Sequence, residues 1–195
     1  MVEEFVNKYR AYLTTLLNNI DTARVNDVIN CFLEARRNNK TIYFAGNGGS
    51  AATASHFAQD LDEVGRKIKG MGFRTQSIND NVAALTAIGN DYGYENIFSM
   101  QIQYNFNPGD VLVVISASGN SPNVVNAVKL AKEKGGTTVG LVGFTGGKLA
   151  GLCDHLIHIK SEIGAYGPVE DLHLVLDHMI TSYFITALKG ETNAR

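Results

Sequence analysis

The run Val111–Ile115 (VLVVI) is unbroken, apolar and mostly β-branched. It is too short for an ordinary helix and too apolar for a strand with one wet face, so it calls for a sheet covered on both sides. Four further short runs punctuate the chain: Thr41–Ala45 (TIYFA), Arg74–Ile78, Thr137–Val142 and Leu156–Ile159. Between and after them lie segments that read as helices: about Ala51 to Val64, Val82–Ile88, Ile97–Tyr104, Pro122 to about Lys134, Leu149–Leu152, and about Val169 to Leu188. Strands of this kind alternating with helices predict an α/β fold, a three-layer sandwich around a doubly wound parallel sheet of five strands. Ahead of them, Phe5, Tyr9, Leu13, Leu16 and Leu17 recur at helical spacing. Asp21-Thr22 then offers a cap, and Val25, Val28, Ile29, Phe32 and Leu33 continue on one face. The expected organisation is one domain over 1–195, with a helix pair in 1–40 and the α/β core in 41–195.

The charge balance narrows the partners. Seventeen basic residues against nineteen acidic ones leave a formal net charge of −2, and no basic stripe stands out, so nucleic acid is not an expected partner. An anionic ligand must be held by local devices instead: backbone N–H groups, hydroxyls and helix ends. No stretch reaches the roughly 20 apolar residues of a membrane span, and Met1–Phe5 lacks the apolar run of a signal peptide. Cys31 and Cys153 belong to no CxxC and read as reduced, packed thiols. The expectation is a cytoplasmic protein with no membrane partner.

In parallel sheets of this type ligands bind beyond the C-terminal strand ends. Two unusual turns fall there. Gly46-Asn47-Gly48-Gly49-Ser50 follows TIYFA and precedes a helix, but it matches neither the dinucleotide fingerprint nor the P-loop. Ser116-Ala117-Ser118-Gly119-Asn120-Ser121 follows VLVVI and precedes Pro122, a residue suited to the first helical position. Three hydroxyls at a helix N-terminus exceed what capping needs and point to phosphate.

These turns, with GNDYGYENIF and VEDLHLVLDHM, stand in the order and about the spacing found in SIS-domain phosphoheptose isomerases, which the chain resembles over nearly its whole length. The resemblance implies a flavodoxin-like sandwich and a homotetramer with active sites between subunits. It implies the conversion of sedoheptulose 7-phosphate to D-glycero-D-manno-heptose 7-phosphate, for lipopolysaccharide, capsule or surface-glycan heptose. It also implies substrate contacts from Asn47, Gly48, Gly49, Ser50, Asn90, Asp91, Ser116, Ala117, Ser118, Ser121 and Glu170. Ala117 stands where the related loop usually has a hydroxyl.

Aldose–ketose isomerisation needs a base, an acid and stabilisation of an enediolate. His56 and Asp60 are four apart and share one helix face, the spacing of a metal-ligand pair or of a plain surface pair. In the resembling family, the His at this place binds zinc and the acid four later is ligand and base. That acid is usually Glu, where this chain has Asp60. A late Gln of the family is Glu170 here, and its second catalytic, metal-binding histidine falls on His178. The implied Zn2+ site is therefore His56, Asp60, Glu170 and His178, with Asp60, Glu170 and His178 as catalytic candidates. Eight helical residues, a rise of about 12 Å, separate Glu170 from His178. They meet at one ion only if Glu170 lies at the helix start or if the two come from different chains. His173 and Asp177 form a rival i,i+4 pair, while His155 and His158 are expected to face solvent or neighbouring side chains. The alternatives are a non-catalytic SIS module that binds phosphosugars or assembles proteins, and an isomerase of another sugar phosphate.

Overall fold

A computed structural model of the chain describes residues 1–68, 70 and 72–192; positions 69, 71 and 193–195 of the expected domain lie outside them. Helices α1 (Val2–Asn18) and α2 (Thr22–Arg37) come first. The Asp21 carboxylate caps α2 by accepting from the Ala23 and Arg24 N–H groups at 2.9 and 3.3 Å. Then follow β1 (Thr41–Gly46), α3 (Gly49–Lys67), β2 (Arg74–Ser77), α4 (Val82–Tyr92), α5 (Ser99–Ile102), β3 (Val111–Ser116), α6 (Pro122–Glu133), β4 (Thr137–Val142), β5 (His155–His158) and α7 (Tyr166–Thr192). The strands form one parallel sheet in the order β2-β1-β3-β4-β5, which is the flavodoxin-like order.

Side-chain alternation along β3 divides the core. Val111, Val113 and Ile115 pack with Phe32, Phe44, Phe57, Leu61 and Leu176 on the face covered by α2, α3 and α7. Leu112 and Val114 pack with Phe98, Ile102, Val124 and Val128 on the other. Every residue of β3 is buried, as its composition requires.

Three segments differ from expectation. The Ile97–Tyr104 helix is reduced to a 3-10 turn at Tyr94–Asn96 and the single turn of α5. The Gln101 side chain donates to the Ile97 and Ile78 carbonyls at 2.7 and 3.0 Å, so it competes for the Ile97 carbonyl, an acceptor that a longer helix would use. The Leu149–Leu152 helix is a 3-10 turn at Gly147–Gly151. Helix α7 starts at Tyr166 rather than near Val169, because Pro168 sits in the first turn, where no N–H is needed.

At the far end of the sheet from the two glycine- and serine-rich turns, the buried Asp110 joins three strand starts. Its carboxylate accepts from the Thr41 and Asn107 N–H groups, both at 2.8 Å, and its carbonyl accepts from Thr137 at 2.9 Å. Asp110→Ala strands two backbone donors and is expected to cost about 3 kcal/mol. Urea denaturation should show the midpoint falling with an unchanged m-value; a loss below about 0.5 kcal/mol, the range of an ordinary surface change, would refute this role for Asp110.

Candidate active site

Strands β1 and β3 are hydrogen-bonded neighbours, so the turns that follow them lie side by side. Gly48, at φ 54° and ψ −121°, caps α3 in a conformation that suits glycine alone. Asn79 clips the end of β1: its amide donates to the Gly46 carbonyl at 2.7 Å, and its side-chain oxygen accepts from the Gly46 N–H at 3.1 Å. Asn47 and the buried Asn123 exchange side-chain hydrogen bonds at 2.9 and 2.8 Å and so join the two turns. The Tyr94 hydroxyl adds a third bond, to Asn47 Oδ1 at 3.0 Å.

Within the second turn the serines divide their work. Ser116 is buried and its Oγ accepts from the Gly119 N–H at 3.1 Å, bracing the turn. Ser118 is half-buried and accepts from the Asn120 N–H at 3.3 Å, which leaves its hydroxyl proton free to donate. Ser121 precedes α6 and makes no side-chain cap bond, so both its proton and its lone pairs remain available. The Ala117 carbonyl accepts from Gly143 at 3.0 Å, and the Gly119 carbonyl from Leu149 at 3.1 Å, so the loop after β4 backs the turn.

A second constellation lies between α3 and α7. His56, Asp60, Asp177 and His178 each offer a ligand atom, all within 4.8 Å of one another, and together could hold a metal ion. The two histidine Nε2 atoms are 3.3 Å apart, and Asp60 Oδ2 lies 3.5 Å from His56 Nε2 and 4.0 Å from His178 Nε2. Ligands on a tetrahedral zinc with bonds of about 2.0–2.1 Å lie about 3.3–3.4 Å apart, so the donors and their spacing fit a divalent cation. The His56, Asp60 and His178 side chains are 46%, 26% and 52% exposed and form a rim; Asp177, 0% exposed, forms the floor.

Glu170 is not in that group. It lies within α7, eight residues before His178, and its carboxylate occupies the space that a Cβ on Gly49 would fill, at the start of α3. Two sites therefore line the α3–α7 seam: Glu170 beside Gly49, and His178 beside His56. Their separation is about 10–12 Å from the helical rise. The expected grouping of Glu170 with His56, Asp60 and His178 is accordingly not made within one chain, because α7 begins too early for Glu170 to lie at its start. Asp177 takes that place. It is set beside His56 and Asp60 rather than bonded to its i−4 neighbour His173.

Both ring nitrogens of His173 and both Asp177 oxygens are buried without a hydrogen-bond partner among the described residues. The Val142 carbonyl, which accepts from Ile159 at 2.8 Å, approaches the His173 ring without the geometry of a hydrogen bond. Burial pushes His173 down to about 4, against a smaller upward pull from Val142. Burial pushes Asp177 up to about 8, and the Asp60 carboxylate adds to the rise.

Asn90 and Asp91 are exposed at the end of α4 and bond to each other at 2.7 Å. His158 is half-buried, with Nε2 2.9 Å from the Phe144 carbonyl, a backbone neighbour. Asn79, Tyr94, Asn123 and the placement of Asp177 escaped sequence reasoning. Only Asn123, just after the second turn, and Tyr94, within GNDYGYENIF, adjoin a motif the sequence singles out.

With this geometry in view, the chain belongs to the SIS domain family, whose model matches residues 4–143. Among curated relatives it is similar to the phosphoheptose isomerase of Aneurinibacillus thermoaerophilus, 44% identical over 76% of this chain and 73% of that one. It is also similar to that of Aliarcobacter butzleri, 37% identical over 92% and 95%. Among solved structures, the phosphoheptose isomerase of Neisseria gonorrhoeae superposes with a TM-score of 0.86 at 33% identity, over 95% of this chain and all of that one.

The buried pair sets a pH dependence for chelator-treated protein. The unfolded chain carries ionised Asp177 above about 3.8 and protonated His173 below about 6.5; the folded, metal-free chain does the opposite up to about 8 and down to about 4. Between pH 4 and 6.5 the two linkages oppose each other. Above 6.5 the unfolded state holds one proton fewer, so stability falls as pH rises toward 8. Melting temperature should decline across pH 6.5–8 in the metal-free protein and stay level in Asp177→Asn. A decline of equal size in that variant would assign it elsewhere.

Proposed function

We propose that this protein is a phosphoheptose isomerase, converting sedoheptulose 7-phosphate to D-glycero-D-manno-heptose 7-phosphate for lipopolysaccharide, capsule or surface-glycan heptose. The observation that carries this reading is the meeting of His56, Asp60 and His178 in one crease of a chain that belongs to the SIS family. A module that only binds phosphosugars has no use for such a group.

Phosphate is assigned to the Ser118 and Ser121 hydroxyls and the amides of their turn, at the N-terminus of α6, with Ser116 and Ala117 shaping the loop. Asn47, Gly48, Gly49 and Ser50 shape the neighbouring wall. Asn90 and Asp91 carry donors and acceptors suited to sugar hydroxyls. A divalent cation, in this reading Zn2+, would be held by His56, Asp60 and His178 and would polarise the oxygens on C1 and C2 when bound. The proton leaving C1 of the ketose returns to C2, so one carboxylate takes it and delivers it while His178 serves the oxygens. Glu170, on the anion-binding side of the seam, is assigned this transfer, and Asp60 is assigned mainly to the cation.

A cytoplasmic homotetramer with shared active sites is part of the proposal, with residues 1–195 as one domain. The separation of Glu170 from the crease exceeds one proton transfer, so a second subunit is needed to bring them together. Exposed Phe5 and Val6 on α1, and Met179 and Tyr183 on α7, supply apolar surface for such contacts. Two unpaired thiols suit a reducing compartment.

Incubation with sedoheptulose 7-phosphate should yield the aldose phosphate. Activity should vanish with a chelator, fall steeply for the phosphate-free ketose, and travel with a tetramer in sedimentation. Inactivity of a folded, metal-loaded tetramer would refute the assignment. Glu170→Gln should lower kcat by about 10²–10⁴-fold, as loss of a general base does. If Asp60→Asn is severe and Glu170→Gln mild, the base is Asp60.

A further inference from the structure

The Asp177 carboxylate sits on the floor of the α3–α7 crease with no hydrogen-bond partner, at 0% exposure. A position this apolar is ordinarily filled by a hydrocarbon side chain, and a carboxylate there needs either a proton or a cation. Its oxygen lies within 4.8 Å of ligand atoms from His56, Asp60 and His178, which close the crease from above. Two neutral imidazoles and two carboxylates balance a dication and make a donor set suited to Zn2+ or a neighbouring first-row ion. Glu170 is about 12 Å along α7 from His178 and contributes nothing to this group within the chain.

We propose that Asp177 is the fourth ligand, so that one chain holds the cation with His56, Asp60, Asp177 and His178 and leaves Glu170 to the substrate. The inference builds on the metal site of the proposed isomerase and adds that the ion needs no donor from a second subunit. Asp177 enters from below and fixes the depth of the ion.

The test is titration of chelator-stripped full-length protein with Co2+, read by its visible absorption and by competition with a coloured chelator. Asp177→Asn and Asp177→Leu should weaken Co2+ binding by more than the ~10–100-fold typical of outer-shell changes, and should alter the four-coordinate spectrum. Glu170→Gln should leave affinity and spectrum as in the wild type. Both Asp177 variants should melt no lower than the metal-free wild type, which shows that the loss is not unfolding. Wild-type affinity and spectrum in either Asp177 variant, or equal weakening by Glu170→Gln, would overturn the proposal. Asp177-dependent Co2+ binding in a protein that turns over no sugar phosphate would uphold it while removing the isomerase reading. Turnover with Asp177-independent metal would do the reverse.

Discussion

The pairing of β1 with β3 is the contact on which the rest depends. In the order β2-β1-β3-β4-β5, the chain runs outward from β1 to β2 and then returns across β1 to form β3. Right-handed crossovers on either side of that reversal put α3 on one face and α4 to α6 on the other, and α7, after the last strand, packs beside α3. The reversal also opens a crevice at the C-terminal strand ends, and the two glycine- and serine-rich turns emerge into it. Their proximity is a property of strand order, and the reciprocal Asn47–Asn123 amide pair sets their spacing.

The seam of α3 against α7 does the equivalent work for the titratable groups. The two helices run alongside each other so that successive turns match: Gly49 meets Glu170, and two turns further His56 meets His178. Gly49 is what allows the first meeting, since any side chain there would displace the Glu170 carboxylate. The seam thus carries two chemically different stations, one beside the glycine-rich turn after β1 and one rich in imidazole. In the proposed enzyme their separation is what assembly of subunits overcomes.

Much of this was legible in the sequence because it is written locally. A buried strand announces itself by five apolar residues in a row, a tight turn ahead of a helix by its glycine and hydroxyls before Pro122, and an i,i+4 pair such as His56 and Asp60 by its spacing. What could not be read depends on contacts between distant segments. Asp177 looked like the partner of His173 because both lie on one face of α7; packing instead buries that face and presents Asp177 to α3. Asn123 is an ordinary helix residue in sequence and becomes the link between turns only once β1 and β3 are paired. Helix α7 starts three residues before the position its sequence suggests, an ordinary offset for a helix end, and that offset sets Glu170 a full turn inside the helix.

The buried carboxylate also bears on what kind of protein this is. Folding gains nothing from placing Asp177 at the base of a crease where neither oxygen is hydrogen-bonded; an aliphatic side chain there would extend the core formed by Leu172, Leu176 and Ile180. Groups that cost stability without aiding packing concentrate where chemistry needs them. A phosphosugar-binding module would be served by the two turns alone, which are braced from behind and carry free hydroxyl donors. The chain keeps both the turns and the costly crease, and positions them along a single helix seam. That combination separates an enzyme of the SIS family from a binder built on the same sheet.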